Sequence, residues 1–83
     1  MNYENTYTKD LLRLGNRIRA LREQKGYSQE KLGSKAGLHR NFISSLELAQ
    51  KNPTYTTLIK LASALNVNVT ELLPNENNSD NEN

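Results

Sequence analysis

The sequence predicts an all-α domain, and three observations carry that prediction. Apolar residues recur at steps of three and four along most of the chain, and no segment shows the sustained alternation of a half-buried strand. Ser, Thr, Asn and Gly also stand where such helices would begin and stop. With 83 residues the chain holds one small domain with one modest core.

The first helix is expected over roughly residues 9 to 25. Leu11, Leu14, Ile18 and Leu21 share one face, Arg13, Arg17, Arg19 and Glu23 take the others, and Gly26 supplies the stop. Gly15 stands against it, since a mid-helix Gly costs about 1 kcal/mol relative to Ala. Ser28 is a natural cap for a short second helix that carries Leu32 and Ala36 and ends at Gly37. A third runs from about His39 to Glu47 with Ile43 and Leu46 inward. After the polar loop Gln50, Lys51, Asn52 and Pro53, Thr54 caps a fourth helix whose stripe is Leu58, Leu61, Ala62 and Leu65, and Asn66 can end it in the left-handed conformation. Asn68 with Glu71 three residues on has the spacing of a capping box, so a short fifth helix is expected to carry Leu72 and Leu73 up to Pro74. The expected fold is therefore a compact bundle of five helices. Residues 1–8 read as a flexible N-terminal arm, residues 9–73 as the domain, and residues 74–83, Asn-rich and without an apolar side chain, as a disordered tail.

Composition removes several function classes. There is no Cys, so neither a disulfide framework nor a thiolate metal site can form, and the single His39 cannot build a zinc site. No apolar stretch approaches the roughly 18 residues of a membrane span, and the N-terminus lacks a signal-peptide pattern. A cytoplasmic, membrane-free protein without cofactors is expected. Nothing points to an enzyme: there are no paired carboxylates, no Gly-rich phosphate loop and no nucleophile with a base at a telling spacing. Charge is distributed unevenly. Residues 9–73 hold all 11 basic residues against five acidic ones, a net of +6, while the two ends are acidic. A basic domain of this kind suits a polyanionic partner.

Residues 29–48, QEKLGSKAGLHRNFISSLEL, carry the chemistry. Two short helices that cross through a tight turn need a small residue where their backbones approach, a Gly able to take positive φ at the turn, and apolar residues only toward the core. Gly33 and Gly37 meet the first two demands, and Leu32, Ala36, Leu38, Ile43 and Leu46 meet the third. Arg40, Asn41, Ser44 and Ser45 are left outward.

This segment, with LGNRIRALREQKGYSQEKL before it and PTYTTLIKLASALNVNVTELL after it, resembles the lambda-repressor-like (Cro/XRE) helix-turn-helix proteins of bacteria and their phages, over about residues 10–73. The resemblance implies the family's compact five-helix fold and a dimeric, double-stranded-DNA-binding transcription regulator. The second motif helix of such proteins lies in the major groove with its N-terminal residues on base edges. Arg40, Asn41, Ser44 and Ser45 are accordingly the expected base readers. Arg can donate a bidentate pair to guanine O6 and N7, and Asn can pair with adenine N6 and N7. Ser28 and Gln29 at the start of the second helix, and Gln50, Lys51 and Asn52 after the third, are expected at backbone phosphates. His39 is either a helix-entry residue or a phosphate contact. Phe42 stands either at the DNA edge or over the core. The resemblance pairs Glu47 with Arg22 in a structural salt bridge, and it departs at Leu48 and Ala49, where relatives commonly carry a polar residue and Gly.

One short helix reads few base pairs, so a homodimer on a palindromic operator is expected, with half-sites about 34 Å apart. Ile59, Val69, Leu72 and Leu73 are the apolar residues near the expected self-association surface, the alternative being that they only close the core. LHRNFISSLE is also similar to the controller proteins of restriction-modification systems. Stand-alone members of this size have no ligand-sensing domain, so no small-molecule ligand is expected. RNA polymerase is the further partner that an activating member would touch. The competing class is an antitoxin-type interaction protein that binds a toxin and autoregulates its operon.

Overall fold

A computed structural model describes residues 7–73, and the expected tail and most of the expected arm lie outside the described residues. Among the described residues there are four α-helices and a 3-10 turn: α1 (Thr8–Gln24), α2 (Gln29–Ala36), α3 (Arg40–Glu47), α4 (Tyr55–Leu65) and a 3-10 helix (Val69–Leu72). The first helix thus takes in Thr8, one residue before the start that the apolar spacing predicts.

Each helix begins and ends for a local chemical reason. The Ser28 hydroxyl accepts the Lys31 N–H at 2.9 Å, and the Thr54 hydroxyl accepts the Thr57 N–H at 3.1 Å, each satisfying a donor that the first turn leaves without a carbonyl. All four α-helices close with the same pair of reversed hydrogen bonds. The chain turns left-handed at Gly26, Gly37, Ala49 and Asn66, and the following N–H reaches back to the carbonyl of Arg22, Gly33, Ser45 and Ala62 respectively. The sequence named three of these four stops.

The fifth helix is corrected to a single 3-10 turn. Four residues cannot repay the cost of nucleating an α-helix, and three-residue bonds close the turn instead: Glu71 N–H to the Asn68 carbonyl at 2.8 Å and Leu73 N–H to that of Thr70 at 3.2 Å. The Glu71 carboxylate accepts the Asn68 N–H at 3.3 Å, as the spacing anticipated. Arg17 Nε donates to the Glu71 carbonyl at 2.8 Å and ties the turn to α1.

Leu14, Ile18, Leu21, Leu32, Ala36, Ile43, Leu46, Leu61, Ala62, Leu65 and Leu72 form the core, with Tyr27, Leu38, Phe42, Leu58, Val67 and Val69 packed around it. Helix α2 lies against α3 and α4, α1 packs on α3, and the 3-10 turn closes the end formed by α4 and α1. Burying a Leu or Ile contributes roughly 1.5–3 kcal/mol. The core thus fixes the position of α3.

Candidate nucleic-acid interface

Gly33 sets the geometry of the α2–α3 pair. A Cβ there would lie 2.5 Å from the Leu38 carbonyl oxygen and 3.3 Å from the Arg40 nitrogen, so only a residue without a side chain lets α2 approach the entrance of α3. Gly37, at φ 72°, makes the turn that a Cβ would strain. Gly15 plays the same part on α1, where a Cβ would stand 2.6 Å from the Leu46 carbonyl oxygen and 2.8 Å from that of Glu47. The sequence showed Gly15 only as a weak point of a helix. Its purpose is to let α1 touch the end of α3.

A buried polar cluster holds the same helix from behind. Arg22 Nε donates to Glu47 Oε2 at 2.7 Å and its Nη2 to Oε1 at 3.1 Å, a bidentate pair that joins α1 to α3. Arg22 Nη1 also donates to the Tyr27 carbonyl at 2.8 Å, and Gln29 Nε2 donates to Glu47 Oε1 at 3.0 Å. Both charged residues are buried. The hydrogen bond to Glu47 raises the Arg22 pKa against the opposing effect of burial, so the guanidinium stays charged. Gln29, expected at a phosphate, is thus half-buried, with its amide turned onto α3.

Arg40 and Asn41 stand exposed at the start of α3, while Ser44 and Ser45 are half-buried one turn on. These four occupy one side of the helix, opposite Ile43 and Leu46, as the 3.6-residue period dictates. His39 caps α3: its Nδ1 accepts the Asn41 N–H at 3.0 Å, which leaves Nε2 free to donate outward. Phe42 is half-buried and packs against the core. Ser28 is exposed; its hydroxyl accepts one bond in the cap, and its O–H remains available to donate.

Beyond α3, Ala49 occupies the left-handed position at φ 62° where the family pattern carries Gly, so the loop keeps its turn without the residue that suits it. Gln50, Lys51 and Asn52 follow, all exposed. With Ala49 and with Tyr7, Thr8 and Leu11 at the start of α1 they line an open groove of about 480 Å³. Of the four apolar residues expected at a dimer surface, Ile59 and Leu73 are exposed and Val69 is half-buried. Leu72 is corrected to a core residue, because it is fully buried within the single chain and has no surface left to share. The sequence reading missed Glu30, whose carboxylate stands 3.5 Å from Arg40 Nη1. Helical spacing predicts neighbours within one helix, and this contact joins two.

Known proteins agree with this geometry. A helix-turn-helix family model, HTH_3, matches residues 18–72. The control protein C.SmaI of Serratia marcescens is 45% identical over 60 residues, 72% of this chain and 71% of that protein. The regulator SinR of Bacillus subtilis is 41% identical over 61 residues, 72% of this chain and 55% of its own. Among solved structures, the restriction-modification controller protein C.AhdI from Aeromonas hydrophila superposes with a TM-score of 0.77 at 40% identity, covering 78% of this chain and 98% of that one. The span 18–72 contains both helices of the motif, the Arg22–Glu47 pair that braces them and every core residue but Leu14. The chain belongs to the Cro/XRE-type helix-turn-helix family of DNA-binding transcription regulators.

Proposed function

We propose that the protein is a homodimeric, sequence-specific regulator of the restriction-modification controller kind, working in the cytoplasm on a palindromic operator that it reads with α3. The observation that carries this reading is the outer face of α3. Arg40 and Asn41, with the hydrogen-bonding patterns that fit guanine and adenine, stand exposed on a helix whose inner side is locked by Ile43, Leu46 and the Arg22–Glu47 pair. A reading helix must be held rigidly for hydrogen bonds to discriminate bases, and this one is braced from both α1 and α2.

The remaining parts fall into roles around it. Ser44 and Ser45 extend the reading face, and the His39 Nε2, the Ser28 hydroxyl and the second N–H of the Gln29 amide serve neighbouring phosphates. Lys51, with Gln50 and Asn52, meets phosphate at the other end of α3. The similarity to C.SmaI and C.AhdI supports the controller assignment. Ile59, Leu73 and the exposed edge of Val69 supply the apolar surface for a two-fold partner.

Selection from a random duplex pool, followed by titration of the winner against scrambled DNA at two salt concentrations, tests the reading. A palindromic winner bound with dimer stoichiometry is the expected result. Arg40→Ala should cost about 1–3 kcal/mol on that site and relax one base position, whereas Lys51→Ala should weaken all sequences alike and lower the salt slope by about one. Binding that is salt-sensitive and blind to sequence would overturn the reading in favour of an antitoxin-like role.

A further inference from the structure

The ion pair between Glu30 and Arg40 joins the two helices of the motif at its outer edge. Arg40 is the first residue of α3, and that helix has no acidic side chain in its first turn. A cation there faces the positive end of the helix dipole, so it gains from an anion brought by another element. The absence of a side chain at Gly33 lets α2 close on the entrance of α3, and Glu30, one turn before Gly33, comes within reach. Its Oε1 stands 3.5 Å from Arg40 Nη1 with both side chains largely exposed, over a shallow hollow that Ser34, Leu38 and His39 also line.

We propose that Glu30 is a positioning residue for base recognition: it holds Arg40 by Nη1, so that the Nε and Nη2 edge of the guanidinium is presented to guanine. The inference rests on the assignment of Arg40 as a base reader. An Arg has five donors in a rigid fork, and Nε with Nη2 forms a complete bidentate edge when Nη1 is engaged elsewhere. A free Arg40 would sweep a wide volume, lose more freedom on binding and be able to settle on phosphates of any sequence. A tethered one meets the base already oriented, and must give up its carboxylate to reach a phosphate. The same residue therefore favours the operator and disfavours other DNA.

The test compares Glu30→Gln with the unaltered full-length chain on the selected operator and on scrambled duplex. The variant should bind the operator about two- to fivefold more weakly, the scale of an exposed ion pair, and bind scrambled duplex equally or more tightly, with preference relaxed at the base pair that Arg40 reads. In an Arg40→Ala background the substitution should leave that base preference unchanged. NMR relaxation of the Arg40 Nε–H without DNA should show a more mobile guanidinium in the variant. Glu30→Asp, which keeps the charge on a shorter arm, should recover part of the preference. Equal tightening on both duplexes would overturn the proposal by making Glu30 a mere repeller of phosphate, and relaxation at a different base pair would overturn it by making Glu30 a base reader. A chain that selects no site defeats the regulator reading. In that case the relaxation measurement still decides the tether, and unchanged mobility in Glu30→Gln refutes it.

Discussion

Single residues decide how well α3 is held, and two of them make the clearest predictions. Ala49 adopts φ 62° after α3. An L-residue in that conformation costs roughly 1–2 kcal/mol, part of which Gly would give back through the greater freedom of its unfolded chain. Ala49→Gly should therefore stabilise the domain by about 0.5 kcal/mol, a rise of a few degrees in Tm by circular dichroism. Glu47 is the opposite case. Removing it leaves Arg22 buried without its carboxylate, so Glu47→Ala should cost about 3–5 kcal/mol, enough to unfold much of a domain this small. Glu47→Gln keeps an acceptor for Arg22 and should cost less in the same denaturation experiment. Because the Arg22 pKa is raised by this pairing, the arginine's contribution is fully present around neutral pH and is lost as the pH rises through the raised value in strong alkali. Stability at neutral pH should not vary on its account.

At the level of elements, close approach of backbones outweighs helix propensity. In an isolated helix Gly15→Ala would gain about 1 kcal/mol. Here the new Cβ would meet the Leu46 and Glu47 carbonyl oxygens at 2.6 and 2.8 Å, and backbone cannot step aside as a flexible side chain can. Gly15→Ala is expected to lose about 1–3 kcal/mol net, visible as a lower midpoint in urea, and to weaken operator binding by displacing α3. A raised midpoint would show that α1 and α3 are free to separate. The 3-10 turn teaches a related lesson. Asn68 and Glu71 have the spacing of a helix start, and the hydrogen bond they promise is present. The segment ends within one turn because Leu72 is drawn into the core and only four residues are available.

For the whole molecule, charge and self-association set the predictions. The excess of basic residues in the domain suits DNA of any sequence and should make binding depend on salt, whereas on the proposed reading discrimination would fall to the few side chains on α3. A dimer would double the number of bases read. Ile59→Glu combined with Leu73→Glu should convert dimer to monomer in sedimentation and reduce affinity for a palindrome to that for a single half-site. Both positions are exposed in the single chain, so thermal stability measured at low protein concentration should change little.

The sequence by itself determined the four α-helices, the caps at Ser28 and Thr54, three of the four stops, the inward stripes and the outward row on α3, because each depends on neighbours within one helical turn. Gly33 and Gly37 were legible for the same reason, as was the family, whose pattern spans the whole domain. Tertiary structure decided what depends on residues far apart in the chain. It turned Gly15 from a flaw into a contact, and it put Leu72 in the core while leaving Leu73 on the surface. It required the left-handed turn at Ala49 despite the missing Gly, turned Gln29 toward Glu47, and brought Glu30 to Arg40. Spacing along a helix says which side chains share a face, whereas only packing says what that face meets.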